Sequence, residues 1–236
     1  MPAQKNRSLA NGLACLEAVA AAGSPVGSRE VARLLGEEHT KVNRLLGTLA
    51  DLGLVVRDAR RRYLPGPGLH VLSAMSLRGS GLLAAALPEL EALADGRSTI
   101  ALGLLWQRHV CYLVHAAGGR APADSLGAHA PYPAHESVLG LALLARRTDP
   151  EVRRLLAMEP EPVGRQAIAA CLRSLETVRR DGHAVRDLGG GRRSVACTVG
   201  EPALAAVALL GRFPPSRLPG VVRRLRGAAK RIENAL

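Results

Sequence analysis

Apolar residues recur at helical spacing in three segments near the start of the chain. The first segment is an amphipathic helix, predicted by Leu9, Leu13, Leu16 and Val19, and the turn residues Gly23-Ser24-Pro25 end it. A face with this spacing needs a partner, because a single amphipathic helix of this length is only marginally stable in water. The pattern therefore predicts that further helices pack behind the first.

The second and third segments supply those helices. Val31, Leu34 and Leu35 predict a short helix that Ser28 caps and Gly36 ends. After a bend at residues 37–39, a longer helix is predicted by five core positions and a terminating Gly53; these positions are Val42, Leu45, Leu46, Leu49 and Leu52. Three helices and a bend of this kind are typical of a helix-turn-helix.

Polar and basic side chains occupy the opposite face of the third helix. Short hydrogen-bonding groups and cations on an exposed helix suit the major groove of DNA. The candidate DNA contacts of the two helices are Ser28, Arg29, Thr40, Lys41, Asn43, Arg44 and Thr48. The alternative is an ordinary solvated face.

A basic hairpin follows these helices. Residues 54–57 and Tyr63-Leu64 predict two strands around a turn that contains Arg60, Arg61 and Arg62. Such a tip can contact phosphates or the minor groove, although three arginines in a turn are more often only solvated. The helices and the hairpin together predict a winged helix-turn-helix.

The remainder of the chain alternates strands and helices. A connecting helix is predicted at residues 69–81, and a further helix from Leu83 must restart beside Pro88. Strands are predicted at 99–106, 109–116, 194–199 and 204–210, and helices at 137–147, 150–158, 166–181 and 215–236. This order predicts an α+β fold with an antiparallel sheet, divided into residues 1–68, 69–81 and 82–236.

Composition narrows the possible functions. The 236 residues are 47% apolar, which suffices for real cores, and the net charge of +12 fits a nucleic-acid partner. Residues 1–78 hold 11 Lys and Arg against six Asp and Glu, so the charge is not concentrated in the predicted DNA-binding region. Apolar runs such as residues 82–87 are much shorter than a membrane span.

The cysteines and histidines give little evidence of metal or catalytic chemistry. Four widely separated cysteines form no zinc-finger spacing, and no apolar signal segment begins the chain, so a reducing cytoplasm is expected. His109, Cys111 and His115 have the period of one strand face, but this spacing is unusual for metal ligands. We predict no metal, no cofactor and no catalytic residue.

Three segments resemble the IclR-type bacterial transcriptional regulators over nearly the whole chain. The first is Arg7 to Pro67, including Arg29-Glu30-Val31-Ala32-Arg33-Leu34-Leu35-Gly36 and Asn43-Arg44-Leu45-Leu46-Gly47-Thr48-Leu49. The others are Pro133 to Ala145, and Asp181 to Val185 followed by Ser194 to Val199. The resemblance implies an N-terminal winged helix, a linker helix, a C-terminal GAF-like effector-binding domain, and assembly as dimers or pairs of dimers.

The resemblance also implies where an effector would bind. In the family, a small organic acid or related metabolite lies between the loop before a helix and the late strands, which here implies Pro133, His135, Glu136, Ser137, Ser194 and Cys197. Family members usually have a small residue at the position of Glu136. Either Glu136 faces outward as a first-turn acid, or the ligand offers hydroxyl or cationic donors.

Two functions from different classes follow. The first is a ligand-responsive DNA-binding regulator. The alternative is a metabolite-binding protein or enzyme whose winged helix contacts another protein. An enzyme would need a nucleophile, metal or nucleotide motif in the second region, and the common signatures of these motifs are absent from the sequence.

Overall fold

A computed structural model describes residues 6–127, 129–158 and 162–236, and the chain divides into two compact units. The first unit is Met1–Gly79 and the second is Ser80–Leu236. Among the described residues, no single helix has the length and hydropathy of a membrane span; Pro67–Ser80 and Leu82–Leu93 reach these values only as a broken pair. The functional division at residues 68 and 81 stays a prediction.

The first unit has the predicted winged helix-turn-helix. Its elements in order are α1 (Arg7–Ala21), α2 (Ser28–Leu35), α3 (His39–Asp51), β1 (Val55–Arg57), β2 (Tyr63–Pro65) and α4 (Pro67–Ser80). The core joins the three helices to the wing through Val31, Val42, Leu46 and Tyr63, all of which are buried. Val26 exchanges backbone hydrogen bonds with Tyr63, so the loop before α2 extends the hairpin by one bridge.

Three residues predicted to face the core are instead exposed. Leu9, Leu13 and Leu52 have exposed fractions of 62%, 56% and 66%. On α1 the buried side chains are the small Cys15 and Ala18 with Val19, because contact with the other helices is made near the end of α1 rather than along all of it. The apolar stripe of α1 is therefore wider than its packing surface.

Ser28 does not cap α2 as predicted. The cap residue is Gly27, whose carbonyl accepts from the backbone N–H of Val31 at 3.0 Å. Ser28 begins the helix, and its hydroxyl lies 3.0 Å from Nε2 of His39 at the start of α3. At the other end of α2, Gly36 adopts the predicted left-handed conformation and ends the helix.

The second unit confirms the predicted fold class, because its helices pack on an antiparallel sheet. The strands are β3 (Thr99–Trp106), β4 (His109–Ala116), β5 (Tyr132–Pro133), β6 (Ala184–Asp187), β7 (Arg192–Val199) and β8 (Ala205–Arg212). Their order across the sheet is β5-β4-β3-β8-β7-β6. The two edge strands, β5 and β6, are short and were not predicted, because so few residues carry no clear alternation.

Helices cover both faces of this sheet. One face carries α5 (Leu82–Leu93) and α9 (Leu218–Asn234), and the other carries α6 (Val138–Leu144), α7 (Asp149–Leu156) and α8 (Arg165–Asp181). The predicted restart at Pro88 is wrong, because α5 continues through Pro88. Buried Leu82 and Ala86 before the proline, and Leu90 and Leu93 after it, anchor both halves of the helix.

The exit from the wing passes very close to the end of α3. The backbone N–H of Gly66 donates to the carbonyl of Leu54 at 2.8 Å, and that of Gly68 donates to the carbonyl of Gly53 at 2.9 Å. A methyl group on Gly66 would lie 2.3 Å from the Gly53 oxygen. Only glycine permits this approach, because the obstructing atoms belong to the backbone.

We expect Gly66→Ala to lower the free energy of unfolding of the first unit by about 1–3 kcal/mol or more, since the new methyl overlaps backbone atoms. Gly12→Ala in α1 is the matched control. Its methyl would lie 3.9 Å from a Leu45 side-chain atom, and alanine raises helix propensity by about 1 kcal/mol. Thermal unfolding followed by circular dichroism tests both variants. Equal stability of the two would show that the wing exit tolerates a side chain.

Candidate DNA-binding surface and effector cavity

A groove of about 560 Å³ separates α3 from the wing. Six predicted DNA contacts line it, and with them four residues that were not predicted to do so. The predicted ones are Ser28, Arg29, Asn43, Arg60, Arg61 and Arg62, and the others are Gly27, His39, Arg57 and Tyr63. The groove is strongly cationic because five of the ten lining side chains are arginines.

Asp58 fixes the shape of the wing tip. Its Oδ1 accepts from the backbone N–H groups of Arg60 at 2.9 Å and Arg62 at 2.8 Å. Arg61 has a φ of 60°, the left-handed conformation that the tight turn requires. The sequence could have predicted this role of Asp58, because an aspartate at the start of a turn commonly accepts hydrogen bonds from backbone N–H groups a few residues later. The tip arginines are thus held on a defined turn.

The remaining candidates on α3 differ in their surroundings. Thr40, Arg44 and Thr48 are exposed, and the Thr48 hydroxyl donates to the Arg44 carbonyl at 3.2 Å. Lys41 is only half exposed, and its Nζ lies 2.8 Å from Oε2 of Glu37. Lys41 was predicted on the DNA-facing side. Its role as a DNA contact stays a prediction, because Lys41 lies beside the exposed Thr48 on the helix surface and also reaches Glu37.

A second cavity, of about 290 Å³, lies between the sheet of the second unit and the start of α6. Three predicted effector contacts line it: Glu136, Ser137 and Ser194. Both serines are buried, with 4% of each exposed. The Tyr112 hydroxyl lies 3.2 Å from the Ser137 hydroxyl and places another polar group in this wall.

Glu136 belongs to the short 3-10 turn Ala134–Glu136, so it is not a first-turn acid of α6. It lines the cavity, and its Oε2 accepts from the Tyr132 hydroxyl at 3.2 Å. Its Oε1 is 3.5 Å from Nε2 of His135. The interpretation of Glu136 as an outward first-turn acid is therefore wrong, since the helix begins two residues later, at Val138.

A β-bulge brings His115 to this cavity. The pairing of β3 and β4 shifts between Leu102 and Gly103, which leaves Leu113 as the extra residue of β4. His115 consequently shares a face with Tyr112, and the two rings are 5.3 Å apart. The expectation that His109, Cys111 and His115 share one face is therefore wrong. Among the residues whose placement is described, no three His, Cys, Asp or Glu are grouped as metal ligands.

His115 also contacts His129, with 4.2 Å between the ring centres. Burial, followed by the charge of His129, lowers the pKa of His115 from its usual 6.5. Neutral imidazole can both donate and accept a hydrogen bond. This end of the cavity is thus polar and able to pair with an uncharged group.

Cys197, Pro133 and His135 do not line this cavity. Cys197 is three residues from Ser194 on β7, so it points to the opposite face of the sheet. There it packs in the core under α5 and α9, and burial raises its pKa to about 11. Pro133 and His135 instead border neighbouring clefts on the far side of the 3-10 turn.

Two arginines of the cavity were not predicted as effector contacts. Arg186 on β6 and Arg192 at the start of β7 line it, and Arg186 donates to the backbone carbonyl of Glu136. The sequence could have predicted Arg192 as a lining residue, because it lies two residues before Ser194 and so on the same face of the strand. Two guanidinium groups and one carboxylate make the lining of the cavity positive.

Comparison with known proteins identifies the family of the N-terminal domain and the fold of the chain. Residues 8–59 match the IclR helix-turn-helix domain. An IclR family transcriptional regulator from Brucella abortus is 22% identical, with a TM-score of 0.78 over 100% of this chain and 96% of that one. An IclR transcriptional regulator from Alicyclobacillus acidocaldarius is 25% identical, with a TM-score of 0.71 over 98% and 99%. The N-terminal residues 8–59 thus belong to the IclR helix-turn-helix domain family, and the whole chain has the fold of solved IclR-type regulators.

A third solved structure with a similar fold contains a small aromatic acid. An IclR homologue from Microbacterium hydrocarbonoxydans, complexed with 4-hydroxybenzoate, is 22% identical, with a TM-score of 0.68 over 97% of this chain and 98% of that one. No curated protein is significantly similar in sequence. The matches to solved IclR proteins extend over both units of the chain.

The histidines predict a pH-dependent stability. Burial is the main cause that lowers the pKa of both His115 and His135 below 6.5. The unfolded chain therefore binds more protons than the folded chain as pH falls below about 7, and the protein should lose stability there. The loss should be complete below the lowered folded pKa values.

Thermal midpoints between pH 5 and 7.5, followed by the fluorescence of Trp106 in the second unit, measure this slope. Replacement of both histidines by asparagine should flatten the slope. His70→Asn, on the exposed surface of α4, is the control and should retain it. An unchanged slope in the double variant would assign the pH dependence to other groups.

Proposed function

We propose that this IclR-type regulator binds operator DNA with α3 in the major groove and the wing on the backbone. The observation that carries this proposal is the groove that α3 and the wing border, with five arginines in its lining. Asn43 and Arg44 are exposed on α3 and suit base edges, whereas Arg60 and Arg61 at the tip suit phosphates. A regulator that binds DNA in this way acts in the bacterial cytoplasm, and that localisation is part of the proposal.

The protein acts in this proposal as a homodimer or as a dimer of dimers. The surface of α4 supports a second copy, because the helix buries none of its side chains. Val71, Leu72 and Met75 are between 53% and 64% exposed and form an apolar patch within one and a half turns. A dimer would present two recognition helices to two half-sites of an operator.

The cavity of the second unit is the proposed effector site, and the effector is a small organic acid. Arg186 and Arg192 outnumber Glu136, so an anion is favoured, and a carboxylate pairs well with guanidinium groups. Tyr112 and Ser194 can bind a hydroxyl group on the ligand. The 290 Å³ volume fits a compact molecule of the size of the 4-hydroxybenzoate bound by the Microbacterium homologue.

The effector regulates DNA binding only if it prefers one state of the protein. Its free energy of binding must differ between the DNA-competent and the released forms, and that difference is the whole driving force. The proposal therefore assigns no catalytic step to the chain. Binding and release of the ligand are sufficient for the response.

Single alanine variants separate base reading from backbone anchoring. Asn43→Ala and Arg44→Ala should each cost roughly 1–3 kcal/mol on the preferred site and relax the sequence preference. Arg61→Ala should weaken specific and random DNA about equally and reduce the salt dependence of log affinity by roughly one. Fluorescence anisotropy on selected and random duplexes measures both effects. Equal losses on both DNAs for all three variants would contradict the assignment of α3 as the reader.

A bulky side chain at Ser194 tests the cavity. Ser194→Leu should abolish binding of 4-hydroxybenzoate and of related monocarboxylates in calorimetric titrations, because the side chain projects into the cavity. Operator affinity without ligand should stay within a few-fold of the wild type, since the winged helix is a separate unit. Ser194→Ala, which adds no bulk, is the control. If Ser194→Leu still released operator DNA at the wild-type ligand concentration, the effector would bind elsewhere.

A further inference from the structure

The recognition helix has a gap in its exposed face at Gly47. On a helix with 100° per residue, Gly47 lies between Asn43 and Arg44, one turn further along α3. A methyl group placed on Gly47 would find only one atom within 4 Å, Nη2 of Arg57 at 3.8 Å. The gap is therefore bordered by an arginine that comes from the wing rather than from α3.

Two contacts hold Arg57 in this place. It is the last residue of β1, paired in register with Tyr63 of β2. Its guanidinium carbon lies 5.0 Å from the centre of the Tyr63 ring, a cation–π distance. Tyr63 is itself only 2% exposed, so the ring is a fixed platform. Stacking on a fixed ring reduces the entropy that the arginine loses when it binds a partner.

The charge of Arg57 remains available for DNA. Within residues 6–127, 129–158 and 162–236, no carboxylate forms a salt bridge with Arg57. Lys41, the other candidate cation beside Arg44, is paired with Glu37 at 2.8 Å. The side chain of Arg57 is exposed and lines the same groove as Asn43. The recognition surface thus combines cations from two elements.

We propose that Arg57 is a base-reading residue that extends over Gly47 and contacts a guanine edge beside the base read by Asn43. The inference rests on the proposed DNA-binding mode. Guanine offers two acceptors, O6 and N7, that match the paired N–H groups of a guanidinium. An arginine held flat on an aromatic ring meets this requirement in one geometry, whereas a lysine offers only a point charge.

The first experiment compares base preferences. Duplexes selected from a random pool by the wild-type protein define the operator, and the same selection is repeated with Arg57→Ala, Arg57→Lys and Arg60→Ala. Arg57→Ala and Arg57→Lys should both lose a guanine preference at one position of each half-site, by roughly 10- to 100-fold. Arg60→Ala at the wing tip should keep the preference and lose affinity evenly. Circular dichroism melting curves check that every variant is folded.

A double-mutant cycle tests the gap itself. Gly47→Leu fills the gap and displaces Arg57, so it should remove the same guanine preference. Combining Gly47→Leu with Arg57→Ala should then cost little more than either change alone, because both remove one interaction. Gly47→Ala is the matched control and should retain the preference, since its methyl makes only an ordinary contact at 3.8 Å.

Failure of this inference is distinguishable from failure of the proposed function. A wild-type protein that selected no sequence and bound no duplex at low salt would remove the DNA-binding mode on which both depend. A wild-type protein that selected a clear operator, with the same preferences in Arg57→Ala, would overturn only the inference. Arg57→Lys with full guanine preference, or additive losses in the cycle, would make Arg57 a phosphate contact and also overturn it.

Discussion

The groove between α3 and the wing depends on the close approach of two backbone segments at the end of α3. Gly66 and Gly68, after the wing, donate to the carbonyls of Leu54 and Gly53, and no side chain fits between the segments. The last carbonyls of α3 accept instead from the backbone N–H groups of residues 52–54, so the end of the helix and the exit of the wing are fixed by consecutive residues. Because residues 53–54 lead into the wing and residues 66–68 lead out of it, these backbone contacts set the distance between the wing arginines and α3. The groove is thus a consequence of main-chain geometry, and its side chains are placed on a rigid frame.

In the second unit, the comparable constraint is the alternation of side chains along the strands. Ser194 and Cys197 belong to opposite faces of β7, so one serves the cavity and the other the core. On β4, the bulge at Leu113 reverses the alternation and turns His115 toward Tyr112. A single extra residue in this mostly apolar strand therefore places a histidine in the wall of the cavity. Bulges are common next to binding sites for this reason.

The sequence was sufficient to predict most helices and strands, but not the burial and contacts of several side chains. Helical periodicity predicted α3, and β-rich runs predicted β3 and β4, with nearly the observed bounds. It placed Leu13 in the core wrongly, because a helix can be apolar over a wider arc than it packs. It did not predict the ion pair of Lys41 with Glu37, since this pairing depends on where α2 ends relative to α3. It also did not predict that the Asp58 carboxylate accepts a hydrogen bond from the backbone of Arg60, because that bond forms only once the turn of the wing is in place.

Local pairing, rather than the total charge of +12, decides which cations of this protein can act on DNA or a ligand. Lys41 is neutralised by a neighbour one helical turn away, whereas Arg57 is stacked on an aromatic ring that leaves its donors free for DNA. In the cavity, Arg186 uses one donor on the carbonyl of Glu136, and a carboxylate ligand would have to share or replace that bond. Such an exchange would replace a hydrogen bond within the protein by one to the ligand. It gives an effector the means to favour one arrangement of β6 and the 3-10 turn over another, which is the differential affinity that regulation requires.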